Sequence, residues 1–494
     1  MTCSPLVAIP GEPAGHGGPH YGRDVAPSAE RPNVLLINCD DLGFGDLGCY
    51  GSTRNATPAI DQLADEGLRL TSFTMASPVC SPSRAALLTG CYPPRIGFGS
   101  FDGLPVLFPG MGIGLPDTEV TLARVLSDAG YATKMVGKWH CGDQPAFLPT
   151  NHGFDEYLGL PYSNDMGRQA NTPSILEFLP PLPLLRDAEV IEQQPDQASL
   201  TGRYVAECLG FLRRSAASSR PFFLYLAHLY VHLPLYVTAE RRAASRNGAY
   251  GAAVESIDWA TGVLMDELAR LGLDASTIVI FTSDNGSLGG GPPPWGHMGP
   301  VGGSNAPLRG TKGTSFEGGL RVPGIVRWPG TIPAGRTSDA LLSAMDLFPT
   351  LAGLCGGAVP ADRRIDGIDI VDVLLDDAPS PRTDLAYYRG NDLEAVRDAR
   401  FKLHVARGGE AACELYDLHR DVGETTDVAA QHADVVARLE GIADGFRQAL
   451  GDERLGILGA EVRPVGRVPD PMPLTTYDPD HPYVVAEYDL DDRG

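Results

Sequence analysis

Pro32-Asn33-Val34-Leu35-Leu36-Ile37-Asn38-Cys39-Asp40-Asp41 is the stretch that decides the architecture. Its first eight residues are nearly all apolar, the pattern of a strand buried on both faces. It ends in two carboxylates, at the end of a strand where open α/β sheets bind ligands. Leu42-Gly43-Phe44-Gly45-Asp46 follows as a turn.

The same arrangement recurs further along. Tyr131-Ala132-Thr133-Lys134-Met135-Val136 is followed by Gly137-Lys138-Trp139-His140, and Arg220–Ala227 has His228 and His232 just beyond it. Thr277–Thr282 runs into Ser283-Asp284-Asn285-Gly286. Helices are expected between these strands. One opens at Thr57-Pro58 and stops at Gly67, and another carries Leu122, Val125 and Leu126 and stops at Gly130. A long amphipathic helix places Ile257, Ala260, Leu264, Leu268 and Leu271 on one face. Strands alternating with helices predict an α/β fold with a large, mainly parallel sheet flanked by helices. Residues 31–377 are assigned to it. Residues 143–200 and 286–303 are Pro- and Gly-rich and are read as loops over the site.

From residue 378 the texture changes. Leu385–Tyr388, Leu393–Arg397, Phe401–Val405 and Cys413–Leu418 read as short antiparallel strands, with a helix from Val435 to Leu450. Residues 378–450 are therefore expected to form a small α+β domain with an antiparallel sheet, and 451–494 an irregular tail. Residues 1–30, rich in Gly, Pro and Ala, are expected to be a disordered leader.

At 494 residues the chain exceeds one simple core, and 43% hydrophobic with 20% charged residues is ordinary for a globular protein. The longest apolar runs are strand-sized, so no membrane span is expected. A net charge of −23 argues against a nucleic-acid or anionic-membrane surface. Nine cysteines without paired spacing do not form a disulfide framework. Together with a leader unlike a secretory signal, they point to the cytoplasm.

Ser77-Pro78-Val79-Cys80-Ser81-Pro82-Ser83-Arg84-Ala85-Ala86-Leu87-Leu88-Thr89-Gly90 reads as a loop entering a short helix. Ser81 is expected as the N-cap, Pro82 as the first helical residue and Gly90 as the left-handed stop. Cys80 then stands just before a helix N-terminus that favours an anion, with Arg84 one turn on. A lone cysteine there is equally a small core residue. Asp40, Asp41, Asp284 and Asn285 offer hard oxygen ligands from two strand ends, suited to Ca²⁺ or Mg²⁺. Either pair alone is also an ordinary turn former.

Cys80-x-Pro82-x-Arg84 followed by an apolar run and Thr89-Gly90 resembles the signature of the sulfatase family, in its arylsulfatase branch, of the alkaline phosphatase superfamily. The resemblance extends from Pro32 to Asp427 and includes Gly137-Lys138-Trp139-His140 and Glu414-Leu415-Tyr416-Asp417-Leu418. It implies hydrolysis of a small-molecule sulfate monoester and conversion of Cys80 to formylglycine by a formylglycine-generating enzyme. One hydroxyl of the aldehyde hydrate attacks sulfur, and the other lets the covalent sulfate collapse by elimination. It also implies a divalent cation, usually calcium, held by Asp40, Asp41, Asp284, Asn285 and the modified cysteine. Asp46 matches a further motif carboxylate less directly and is left outside the set.

By the same resemblance, Lys138, Lys312 and Ser163 contact the sulfate, His232 or Lys312 protonates the leaving alcohol, and His140 assists elimination. His232 is preferred over His228 because it precedes Pro234 in the family's His-x-Pro element. Two other readings stay open: a phosphate or phosphonate ester hydrolase on the same scaffold, and a non-catalytic metal- or ligand-binding protein. The acidic net charge favours small esters over sulfated polyanions, because a positive pocket must work against the overall field.

Overall fold

The computed structural model describes residues 31–168, 179–289 and 302–483. The expected leader, the middle of the 286–303 loop and the last tail residues lie outside these. Ten strands form the main sheet: β1 (Asn33–Cys39), β2 (Leu68–Leu70), β3 (Ala132–Gly137), β4 (Glu156–Gly159), β5 (Pro183–Arg186), β6 (Glu189–Gln193), β7 (Phe222–Ala227), β8 (Thr277–Ser283), β9 (Gly324–Arg327) and β10 (Arg336–Ser338). Their order is β10-β2-β9-β8-β1-β7-β3-β4-β5-β6. Only β5 and β9 run against the others, so the mainly parallel sheet expected from the sequence is present.

The longer helices that pack around the strands are α1 (Pro58–Asp65), α2 (Cys80–Thr89), α3 (Leu122–Asp128), α4 (Gln197–Ala216), α5 (Gly248–Arg270), α6 (Leu347–Leu354) and, later, α7 (Ala433–Leu450). The two-residue period of β1 feeds a core on each face of the sheet. Val34 and Leu36 join Leu87, Leu126, Trp139 and Phe348, beneath α2, α3 and α6. Leu35 and Ile37 join Ile60, Leu200, Tyr204, Ile257 and Leu264, beneath α1, α4 and α5. Each such side chain, removed from water, contributes about 1.5–3 kcal/mol.

A second sheet of four antiparallel strands, β11 (Leu385–Arg389), β12 (Asp392–Arg397), β13 (Phe401–Arg407) and β14 (Glu410–Asp417), carries α7. Its core of Leu385, Val396, Leu403, Leu415 and Leu439 continues into Ala86 and Met345 of the large layer.

Several local expectations are corrected. The N-cap of α2 is Val79, not Ser81, so Cys80 and Ser81 occupy the first turn and Pro82 comes third. The Ser81 hydroxyl instead accepts from Leu107 N at 3.1 Å. Gly90 does take the left-handed cap, at φ 67°. Helix α1 ends at Asp65 with Glu66 as its cap, and Gly67 instead lets the chain enter β2, where a Cβ would stand 2.5 Å from Val326 O. The described parts of the 143–200 stretch (169–178 lie outside them) are more regular than expected, containing β4, the β5–β6 hairpin and the start of α4. Nor is the tail wholly irregular: Gly451–Asp452 pairs with Ile457–Leu458, and Gly466–Arg467 with Ile113–Gly114. No helix among the described residues is long and apolar enough to cross a membrane.

Candidate active site

Adjacent parallel strands in register bring their C-terminal ends to one level. Asn38 of β1 lies beside Thr282 of β8 and Ala227 of β7, and Ala227 lies beside Gly137 of β3. The residues after those ends therefore converge. Asp40 and Asp41 leave β1, Lys138 and His140 leave β3, His232 follows β7, and Asp284 and Asn285 leave β8. Asp41 and His140 both adopt left-handed backbone, at φ 62°. Gly137 permits the close approach of β3: at φ 110°, a Cβ there would stand 1.9 Å from Ala227 O.

Asp40 is wholly buried among cations. Lys138 Nζ stands 2.6 Å from its Oδ2, and Arg84 Nη2 3.7 Å from its Oδ1. Burial alone would raise its carboxyl, but Lys138, His232, Arg84 and Lys312 hold it well below the ordinary range. Arg84 grips Asp284 Oδ2 through Nε and Nη2, both at 2.8 Å, and gives Nη1 to Lys138 O at 2.9 Å. Its guanidinium thus fastens α2 to two strand ends. Asp284 Oδ1 accepts from Asp41 N at 3.2 Å. Burial and the neighbouring Asp40 push the Asp284 carboxyl up to about 7.

Asp41 receives Asn285 Nδ2 at 2.8 Å and Lys312 Nζ at 2.8 Å, with His232 Nε2 at 3.8 Å. Ser163 Oγ lies 3.2 Å from Lys138 Nζ and 3.3 Å from His232 Nε2. Cys80 Sγ is buried 3.6 Å from Asp40 Oδ1, at the first turn of α2. Burial pushes its thiol up to about 12, with Lys138 and Lys312 acting the other way. An unmodified Cys80 is therefore a poor nucleophile near neutrality.

The two candidate histidines differ. His232 Nδ1 donates to Leu233 O at 2.6 Å, leaving Nε2 toward Asp41 and Ser163. His228 faces away: its Nδ1 accepts from Tyr230 N and its Nε2 meets Thr201 Oγ1 of α4, and burial lowers it to about 3. His140 Nε2 stands 3.0 Å from Leu107 O, so Nε2 carries the proton. Its Nδ1 is buried without a hydrogen-bond partner, and burial together with Lys138 holds the imidazole well below its usual pKa. Asp46 stays outside, accepting from Gly43 N and from Tyr250 OH at 2.6 Å.

The cluster fits a divalent cation. Donor atoms of Asp40, Asp41, Cys80 and His232 lie within 4.8 Å of one another. Asn285 Oδ1 is buried without a hydrogen-bond partner, a free ligand oxygen, since Nδ2 serves Asp41 and Gly286 O. Asp284, expected as a ligand, directs Oδ2 to Arg84 in this arrangement. Three carboxylates (Asp40, Asp41, Asp284) face three cations (Arg84, Lys138, Lys312). A divalent ion added to that balance leaves a local positive charge, despite the acidic protein.

Sequence reasoning missed the partners behind the cluster. The Leu107 carbonyl has no side-chain signal at all. Glu317 and Lys402 are legible in the sequence only as a charge in a loop and a charge on an alternating strand; both are wholly buried.

The fold and the site together define a hydrolase for oxyanion esters. The sequence profile of the sulfatases matches residues 32–357, and one described as N-sulphoglucosamine sulphohydrolase, C-terminal, matches 311–445. The chain is 42% identical to N-acetylgalactosamine-6-sulfatase of Canis lupus familiaris over 398 residues, 78% of this chain and 73% of that one. It is 40% identical to arylsulfatase A of Homo sapiens over 433 residues, 80% and 83% of the two chains. Its structure resembles the PsFucS1 sulfatase from Pseudoalteromonas sp., with a TM-score of 0.75 and 30% identity, covering 84% of this chain and 90% of that one. The chain belongs to the sulfatase family and is a sulfuric ester hydrolase.

Proposed function

We propose that this enzyme cleaves a small-molecule sulfate monoester using formylglycine made from Cys80 and a calcium ion. The observation that carries this reading is the buried juxtaposition of Cys80 with Asp40, Asp41 and three cationic side chains. As formylglycine hydrate, residue 80 supplies a nucleophilic hydroxyl in place of a thiol, and the cation supplies Lewis acidity toward the sulfate oxygens. Asp40, Asp41, Asp284 and Asn285 hold that ion. The modification also changes the donor set: a thiolate favours soft metals, whereas the hydrate presents oxygen and favours Ca²⁺, with Mg²⁺ as runner-up.

Lys138, Lys312 and the Ser163 hydroxyl hold the sulfate oxygens and neutralise them, the dominant catalytic contribution. Arg84 fixes the ligand carboxylates and stabilises negative charge at residue 80. His232 in its imidazolium form gives its Nε2 proton to the leaving alcohol oxygen, Nδ1–H staying on Leu233 O, or the neighbouring Lys312 Nζ gives that proton. His140 Nδ1, unprotonated and unpartnered, takes the hydroxyl proton that accompanies sulfate release. Small esters are favoured over sulfated polyanions because the net charge of −23 opposes the approach of a highly charged chain.

The decisive experiment pairs mass measurement of the peptide containing position 80 with hydrolysis of nitrophenyl sulfate. Protein from cells with a formylglycine-generating enzyme is expected to carry the aldehyde and to turn over the ester. Cys80→Ala is expected to be inactive, and retained activity in it removes the proposed nucleophile. Faster turnover of nitrophenyl phosphate than of the sulfate would favour the phosphate-ester reading.

A further inference from the structure

A second group of buried charges lies between the main sheet and the C-terminal sheet, and the chemistry above makes no use of it. Lys402 of β13 is wholly buried. Its Nζ lies 2.7 Å from Ser315 O and 3.1 Å from both Glu317 Oε1 and Glu424 Oε1. Glu317 Oε1 also accepts from Tyr387 OH at 2.7 Å, and Oε2 from Arg397 Nη1 at 2.8 Å. The Glu317 backbone N donates to Glu424 Oε2 at 2.7 Å. Tyr387, Arg397 and Lys402 all belong to the C-terminal sheet, whereas Ser315 and Glu317 belong to the segment that carries Lys312.

Buried ion networks gain little net stability after desolvation; what they set is geometry. Here the geometry set is that of residues 312–317. Lys312 N donates to Ser287 O and Gly313 N to Pro78 O, both at 2.9 Å. The segment is thus tied to the turn after Asn285, to the loop before Cys80 and, through Lys402, to the C-terminal sheet. Lys312 Nζ reaches Asp41 from this three-point mount.

We infer that Lys402 is a positioning residue: by joining Ser315 O, Glu317 and Glu424 it sets where Lys312 stands, which makes the C-terminal sheet part of the catalytic apparatus. The inference rests on the proposed action of Lys312 on the sulfate. Without the Lys402 ammonium, the Glu317 and Glu424 carboxylates lose a shared cation and the Ser315 carbonyl loses its partner. The 312–317 segment then shifts while the Asp40 side of the site stays in place.

The test is a double-variant cycle read as kcat on nitrophenyl sulfate, using full-length protein with formylglycine content at position 80 measured by mass spectrometry. Lys402→Met is expected to lower kcat about 100-fold, the scale of an ångström of misplacement. Lys312→Ala is expected to lower it further, and the double variant to be no slower than Lys312→Ala alone. Equal fold losses from Lys402→Met in both backgrounds would overturn the inference, leaving a purely structural role. A fully active Lys312→Ala overturns the reading of Lys312 and the inference with it, a result distinct from additivity.

Tyr387→Phe, which removes one hydrogen bond to Glu317 and no charge, serves as the second variant if Lys402→Met does not accumulate. It is expected to cost about fivefold in the parent, the worth of one hydrogen bond, and nothing in the Lys312→Ala background. Equal losses in the two again overturn the inference.

Discussion

Lys138 Nζ stands 2.6 Å from Asp40 Oδ2, with neither side chain accessible to solvent. The two residues leave different strands, β3 and β1, separated in the sheet by β7. Lys138→Met keeps the length of the side chain and leaves Asp40 buried with one cation fewer. Removing one partner of a buried pair costs about 3–5 kcal/mol, to be measured as a fall in urea stability of the metal-free protein. Added calcium is expected to reduce that loss, because a cation beside Asp40 restores the missing charge. Turnover of nitrophenyl sulfate is expected to fall by about 10²–10³-fold. Unchanged metal-free stability would show that the pair does not bear on folding.

Chelation supplies a second prediction. Asp40, Asp41 and Asp284 repel one another, and Asn285 Oδ1 lacks a partner, so a divalent ion binds the folded chain far better than the unfolded one. Treatment with a calcium chelator is expected to lower Tm and abolish turnover, and calcium to restore both. At an ion concentration of about 1,000 times Kd the difference is about 4 kcal/mol. Restoration by zinc and not by calcium or magnesium would identify position 80 as a thiolate ligand, contrary to the proposed modification.

Gly159→Ala tests the backbone framing of the site. A Cβ on Gly159 would stand 1.8 Å from Gly137 O. The residues that follow hold the catalytic strand end, through Trp139 N to Leu160 O at 2.9 Å and His140 N to Pro161 O at 3.1 Å. The substitution is expected to cost at least about 1–3 kcal/mol as overpacking. It should also lower kcat, because Lys138, His140 and Ser163 shift together. A variant with parental Tm and kcat would show that the two strands part without consequence.

His228 gives a prediction with a definite sign. Burial lowers its imidazole from 6.5 to about 3. Between those values the unfolded chain binds a proton at this position that the folded chain does not. Its contribution therefore falls as pH falls, by about 1.4 kcal/mol per pH unit. Asp46 and Asp258, raised by burial to about 7 and about 6, act in the opposite sense. The signature is accordingly a difference: His228→Gln is expected to lose stability less steeply than the parent between pH 6 and pH 4. Parallel urea-stability curves would show that His228 titrates normally in the folded state.

The strand-end motifs are legible in the sequence because their cause is local. A doubly buried strand must be apolar, and the first residues free of the sheet may be polar, so Val34–Cys39 and Asp40-Asp41 announce both roles at once. The same logic exposed Lys138, His140, Asp284 and Asn285, while the Cys80–Gly90 pattern supplied the family resemblance. Helix α4 carried a readable signal too: Asp196 caps it, and Leu200, Tyr204, Cys208 and Phe211 recur at helical spacing. The Pro-rich stretch before it dominates the local composition and masks that signal.

What the chain alone determined is the layered α/β plan and the residue types delivered to one end of the sheet, since both follow from periodicity and burial. Tertiary structure decided which groups meet. It turned His232 toward Asp41 and His228 toward α4, set Val79 rather than Ser81 as the cap of α2, and buried Lys402 against the Lys312 segment. Those outcomes depend on contacts between residues tens to hundreds of positions apart. Side-chain charge and spacing along a strand are the same whether its face meets water or another layer, so only the packed molecule distinguishes the two.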